Sequence, residues 1–286
     1  GRKGMAEVVS FLLYPPAGGS VGEVHPVFNI DGKDYHRSLN VLNYDHIPTQ
    51  TVMMDARAKI VRMDLRKAGE RIGYIMGAGD DVPASLEQVG YEVTLLGESD
   101  MEPDRLAGFD AIVLGIRAYN TIEWLRFHQS KLLDYVKNGG TMVVQYTKAP
   151  RFDSELTVPM DEMAPYPIKI TYDRVTVEEA EMRFIAPDHP VVNWPNKITP
   201  ADFEDWVQER GLYFAGEWDE EHYDEIFSCN DPGEDPKEGS LLVADYGEGH
   251  YVYTGLSFFR ELPAGVPGAY RLFANLMSLG QKKGER

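Results

Sequence analysis

From Arg71 to Gln145 the chain alternates short apolar runs with helix-like segments, joined by glycine turns. Few folds accept that rhythm: it predicts a parallel, doubly wound α/β sheet. Arg71-Ile-Gly-Tyr-Ile, Tyr91–Leu96, Ala111–Leu114 and Thr141–Tyr146 read as its strands. A helix starts at Val82, with Asp81 as N-cap and Pro83 in its first turn, and Gly90 ends it. Pro103–Ala107 reads as a short helix. Thr121–Lys137 reads as an amphipathic one, stopped by Asn138-Gly139-Gly140.

In such sheets ligands bind outside the carboxyl ends of the strands. The stretch Phe109–Asn120, FDAIVLGIRAYN, carries a buried strand to that edge and ends on Arg117, Tyr119 and Asn120. The plain alternative is that these residues cap the following helix and pair with neighbours. Gln145 and Tyr146 end the next strand at the same edge. The loop Gly77-Ala-Gly-Asp-Asp joins a strand to a helix, where an anion could sit. It lacks the third glycine of a dinucleotide fingerprint, and its aspartates oppose phosphate, so it reads as a tight turn. Asp80 and Asp81 are suited instead to hydrogen-bond hydroxyls.

The flanks differ. Residues 1–66 read as β-rich, with strands at Val8–Leu13, Val27–Ile30, Tyr35–Tyr44 and Lys59–Leu65 and a turn at Asp31-Gly32. That is too little chain for a complete sandwich. Residues 67–286 form the α/β part, interrupted at 148–238 by a proline-punctuated insertion. Within it Thr171–Val177 and Leu212–Ala215 read as strands and Asp202–Glu209 as a short helix. Long irregular insertions are often functional. Ser240–Asp245 and His250–Leu256 flank Tyr246-Gly-Glu-Gly as a hairpin, and Ala269–Leu279 is the last helix.

Charge and motifs exclude several functions. A net charge of -18 argues against a nucleic-acid backbone as partner. No apolar run is long enough to span a bilayer. Cys229 is the single cysteine, so no internal disulfide is possible, and no base accompanies it. The turns where a hydrolase or amidotransferase would carry its nucleophile hold no Cys, and no G-x-S-x-G elbow occurs. The seven histidines form no H-x-x-x-H or H-E-x-x-H. Asp188-His189 and Glu221-His222 are possible ligand pairs, but a metal needs about three converging ligands. Trp194, Trp206 and Trp218 could stack on sugars, although core packing is the commoner use. The opening GRKGMAEVV is neither a signal peptide nor a natural beginning, so the chain is expected to be part of a longer one.

Five stretches carry a resemblance: RIGYIMGAGD, FDAIVLGIRAYNT, YVKNGGTMVVQYT, HPVVNWPNKITPADFEDWVQERGLYFA and VYTGLSFFRELPAGVPGAYRLFANL. Together they resemble the C-terminal region of the large Bacteroidetes PIG-L/LmbE-type N-acetylglucosamine deacetylases. The resemblance implies a flavodoxin-like, class I glutamine amidotransferase-like domain close to the ThuA-like branch. It implies that residues 1–66 are the tail of a truncated β-sandwich. It also implies an extracytoplasmic location and packing against an absent deacetylase domain. The family's A-H-P-D-D-E zinc motif is missing here, so zinc is expected in that absent domain and no cofactor in this chain.

The expectation is therefore a noncatalytic accessory or carbohydrate-binding domain, its ligand a polyhydroxylated or carboxylated sugar or an amino sugar. Asp80, Arg117, Tyr119, Asn120, Gln145 and Tyr146 form the expected crevice, with Arg260 joining from the loop before the last helix. One rival is a ThuA-like sugar hydrolase or isomerase using Asp188, His189 or Glu261 as acid or base. The other is a structural or assembly module.

Overall fold

The computed structural model describes residues 8–151 and 155–281. Its contacts divide the chain into two compact units, Gly1–Asp64 and Leu65–Arg286.

The first unit is built from three separate antiparallel ladders. Ser20–Val24 pairs with Ala58–Arg62, Phe28–Ile30 with Lys33–Tyr35, and Arg37–Leu42 with Gln50–Asp55. The expected Asp31-Gly32 turn closes the middle hairpin, with φ of 52° and 80°, the left-handed pair that a two-residue hairpin requires. Val8–Leu13 forms no strand, and Gln50–Asp55 is a strand where none was expected. No described residue of this unit is buried. Alternation can mark such strands, but nothing fixes their ends when neither face is covered.

The second unit holds a seven-stranded sheet. Its five parallel strands are, in chain order, Arg71–Ile75, Glu92–Leu95, Ala111–Leu114, Thr141–Gln145 and Gly249–Thr254. Their spatial order is second, first, third, fourth, fifth, which is the flavodoxin-like order. Leu241–Tyr246 and then Tyr223–Glu225 extend it antiparallel. The insertion thus supplies an edge strand as well as a covering. Elsewhere in it the strands are short pairs such as Arg174–Val175 with Gly211–Leu212.

Helices cover both faces. Ile112, Leu114, Met142, Val144, Tyr251 and Tyr253 alternate along their strands and pack with Leu125, Leu132 and Val136 of the helix Leu125–Lys137. Val113, Val143 and Val252 point the other way, and the last helix, Pro267–Ser278, packs on the third and fourth strands. The expected helix from Thr121 is two: Ala118–Thr121, then Leu125–Lys137. Asp202–Glu209 is not a helix; a short 3-10 turn, Pro200–Phe203, covers only its first two residues. Asp205 and Gln208 there take left-handed φ of 59° and 70°, which no helix continues through.

Candidate functional site

Strand order reverses between the first and third strands, and both end in sharp turns there. The first strand runs into Gly77–Asp81. Asp80 accepts from the Tyr74 hydroxyl at 2.7 Å, from the Val82 amide at 3.0 Å and from the Ile116 amide at 3.3 Å. Burial raises its carboxyl pKa, and these bonds oppose the rise. Asp81 holds the N-cap position as expected but makes no side-chain cap; the Asp80 carboxylate takes that amide instead. The hydroxyl-binding role expected of Asp80 is therefore corrected: its oxygens hold the two turns together.

The third strand runs into Gly115-Ile116-Arg117. A Cβ on Gly115 would lie 2.9 Å from the Tyr74 oxygen, so the turn needs a glycine there. Arg117 takes φ 58° and ψ 23°, a left-handed conformation that costs a non-glycine residue about 1–2 kcal/mol. Its amide donates to the Tyr146 carbonyl at 2.8 Å, tying the third strand end to the fourth. This is the strand–turn–helix shape of a nucleophile elbow, and it presents a guanidinium. That guanidinium has no hydrogen-bond or ion-pair partner among the described residues, and its Nε is buried.

The fourth strand end carries Gln145, Tyr146 and Thr147. Gln145 donates through Nε2 to the Tyr74 hydroxyl at 2.9 Å, but its Oε1 has no partner. Thr147 Oγ1 is likewise unmatched, and both residues are 1% exposed. Buried polar atoms are nearly always paired, so unmatched ones at one sheet edge ask for an explanation. The Tyr146 ring stacks on Tyr213 at 5.5 Å and leans on Phe259 at 5.2 Å. Burial raises its phenol pKa, and the positive charges of Arg117 and Arg260 pull it down. Arg260 lies with its charge over Phe259 and its Nε donating to Glu209 at 2.9 Å.

Two expected members face elsewhere. Tyr119 is fully buried, and its hydroxyl lies 3.1 Å from Gln129 Oε1 and 3.2 Å from the Met163 carbonyl, one of which accepts its proton inside the core. Asn120 brackets the insertion, donating to the Lys148 and Glu155 carbonyls and accepting from the Lys148 amide. Arg117, Gln145, Tyr146 and Arg260 thus lie at the strand ends near Thr147, Tyr213 and Phe259, with Gln145, Tyr146 and Thr147 buried. Thr147 was marked by following Gln145-Tyr146, and Phe259 by preceding Arg260. Nothing in the local sequence marked Tyr213, which the insertion delivers from far along the chain.

The acid–base candidates Asp188, His189 and Glu261 lie apart in their contacts. His189 Nδ1 accepts from the Val191 amide at 3.1 Å, and its Nε2 lies 3.6 Å from Asp224 on the edge strand. Asp188 is exposed beside it. Glu261 turns inward, fully buried, accepting from the Val207 amide and the Ser257 hydroxyl. Burial pushes its pKa up to about 7. Trp206 is core, as the commoner use of Trp predicts, and Trp218 donates to Glu225 at 2.7 Å. The Cys229 thiol is buried and pushed up to about 11 by that burial, which leaves it inert.

One group of possible metal ligands is present among the described residues: Asp219, Glu221 and His222, with ligand atoms within 4.8 Å of one another. Asp219 already bonds the His222 ring and the Glu221 amide, as in an ordinary exposed turn. No described helix is long and apolar enough to cross a membrane.

No family model and no curated protein matches the sequence. Among solved structures, the chain is similar to a candidate GMP synthase subunit from Thermoplasma acidophilum. The identity is 10% and the TM-score 0.47, over 76% of this chain and 96% of that one. It is similar to a ThuA-like protein from Bacteroides uniformis at 12% identity and TM-score 0.47, over 76% and 93%. It is also similar to a cytoplasmic protein of Salmonella typhimurium at 14% identity and TM-score 0.47, over 90% and 95%.

Proposed function

We propose that the unit Leu65–Arg286 is a noncatalytic recognition domain whose Arg117 crevice holds a polyhydroxylated, carboxylated sugar. In this reading it is the accessory domain of a multidomain, extracytoplasmic carbohydrate N-deacetylase, and the zinc chemistry resides in a separate domain. The observation that carries the binding role is Arg117: a strained turn that offers a guanidinium without a partner among the described residues where an enzyme of this shape would offer a nucleophile. Arg117 supplies the donor fork for a carboxylate. Gln145 Oε1 accepts from a hydroxyl, and Thr147 Oγ1 can do either. Tyr146, Tyr213 and Phe259 give an aromatic wall for a sugar ring. Among the described residues this set holds no Cys or Ser nucleophile, and its donors and acceptors suit binding.

Calorimetric titration with D-glucuronate tests the reading, with D-glucose as the neutral comparison. Glucuronate is expected to bind more tightly than glucose, and Arg117→Ala to weaken it by about tenfold or more. Equal binding by Arg117→Ala, or no binding of either sugar, overturns the crevice and leaves the structural-module reading in its place.

A further inference from the structure

Three side chains form one hydrogen-bonded line from the Gly77–Asp81 turn to the end of the fourth strand. The Tyr74 hydroxyl, fully buried, lies 2.7 Å and 2.8 Å from the two Asp80 carboxylate oxygens. Gln145 Nε2 lies 2.9 Å from the same hydroxyl, and Gln145 Oε1 has no partner among the described residues. A phenol has one proton to give. While Asp80 is ionised it takes that proton, so the Tyr74 oxygen must accept from the Gln145 NH2 group. The line thereby settles which way the amide is turned, with the acceptor Oε1 as its free end. The same strand ends carry two more buried, unmatched atoms, Thr147 Oγ1 and Arg117 Nε. The Arg117 amide is bonded to the Tyr146 carbonyl, between Gln145 and Thr147 in the chain.

Protonation of Asp80 reverses the line. The carboxylic acid donates to the Tyr74 oxygen, Tyr74 donates to Gln145, and the amide turns over to put Oε1 there. One proton is gained at Asp80, and the free end of Gln145 becomes NH2, a donor. A free acceptor opposes a carboxylate, whereas a donor joins Arg117 Nε and the Thr147 hydroxyl in holding one. We infer that Asp80 and Tyr74 are positioning residues that set the ligand preference of Gln145, for hydroxyl donors when Asp80 is ionised and for a carboxylate when it is protonated. The inference rests on Arg117 holding the carboxylate of the proposed ligand. Burial raises the Asp80 pKa above that of an ordinary aspartate, which brings its protonated form nearer to neutral pH. Burial, then Asp80, keeps the Tyr74 phenol protonated. Tyr74 on the first strand and Asp81 in its own turn are the titratable groups acting on Asp80, and the Val82 and Ile116 amides face it as neutral donors.

The test is calorimetry of the full chain with D-glucuronate from about pH 5 to about pH 8, where the sugar acid and arginine both stay charged. Wild-type affinity is expected to rise by about fivefold or more as pH falls, and binding to take up protons, read from the heats in two buffers of different ionisation enthalpy. Tyr74→Phe keeps the Asp80 charge but cuts the line, so its affinity is expected to be flat with pH. Plain repulsion between Asp80 and the ligand would keep the slope there. Asp80→Asn offers Tyr74 an NH2 donor as the protonated acid offers O–H, so its affinity is expected to be flat at the wild type's low-pH value. Glu261, whose pKa of about 7 falls in the same range, is intact in both variants. A slope that survives in Tyr74→Phe or Asp80→Asn therefore overturns the inference. Wild-type binding that depends on Arg117 but is flat with pH overturns it too, and leaves the crevice standing. No glucuronate binding at any pH overturns both. The wild-type slope needs no variant, and each variant cuts the line separately, so misfolding of one leaves the others decisive.

Discussion

Two turns meet at the switch point of the sheet, and they dispose of their polar groups in opposite ways. In Gly77–Asp81 the exposed-looking carboxylate is saturated: Asp80 takes the Tyr74 hydroxyl and two amides. In Gly115–Arg117 the side chain has no partner among the described residues, and its neighbours Gln145 and Thr147 each keep one buried atom unpaired among them. Both turns lie at the same edge and carry a charged residue near a helix start. The difference is that one turn has its polar side chain saturated and the other does not. Polar character in the sequence does not separate them; hydrogen-bond satisfaction does.

The scaffold side gives the largest expected effects. Asp80→Ala leaves three donors without an acceptor, one of them the buried Tyr74 hydroxyl, and is expected to cost about 3–5 kcal/mol in urea unfolding. Gly77→Ala follows at about 3 kcal/mol, since its Cβ would fall 2.1 Å from the Ile116 carbonyl oxygen and 2.7 Å from the Ala118 amide. Backbone cannot swing aside as a side chain can. If either variant unfolds like the wild type, the Gly77–Asp81 turn is not a brace between the strand ends.

The same contrast recurs between Arg260 and Glu261, adjacent residues with opposite orientations. Glu261 holds its proton up to about pH 7 in the folded protein, against 4.5 for an ordinary glutamate. The folded state therefore binds more protons than the unfolded chain between those values. The stability this supplies is complete below about pH 4.5 and lost as pH rises through about 7. It amounts to about 3 kcal/mol. Glu261→Gln keeps an acceptor for the Val207 amide and turns its NH2 to the Ser257 oxygen, but cannot titrate. Unfolding measured from pH 4.5 to 7.5 should decline less steeply in the variant than in the wild type. Parallel curves would mean that Glu261 is not the inward, proton-holding member of the pair.

The parallel strands and their order of appearance were legible because each is an apolar run closed by a glycine turn, as in Ala111–Leu114 before Gly115. Arg117 was legible for the same reason, since it follows the strand that ends at the edge. Tyr119 and Asn120 were not. They enter a helical turn, where each residue rotates the side chain by about 100°, so sequence neighbours of Arg117 point into the core and toward the insertion. Asp80 was misread because a carboxylate in a glycine loop looks available until the amide of Ile116, 36 residues on, is brought to it. Tyr213 arrives from the insertion, whose two-residue strands are too short for any period to show. The helix expected over Asp202–Glu209 failed at Asp205 and Gln208, where local backbone demands override an amphipathic pattern.

The smallest stability effect is expected at the residue the ligand needs most. Arg117 carries a left-handed strain and its side chain donates no hydrogen bond among the described residues, so removing the side chain takes little from the fold. Glycine relieves the strain, partly offset by the freedom it gives the unfolded chain, so Arg117→Gly should be as stable as the wild type or more so, by under about 1 kcal/mol. The same variant should lose glucuronate binding by about tenfold or more. A strained residue whose removal stabilises the protein while abolishing binding is held there for the ligand. If Arg117→Gly instead destabilises the protein on the scale of Asp80→Ala, the guanidinium is scaffold after all, and the distinction between the two turns disappears.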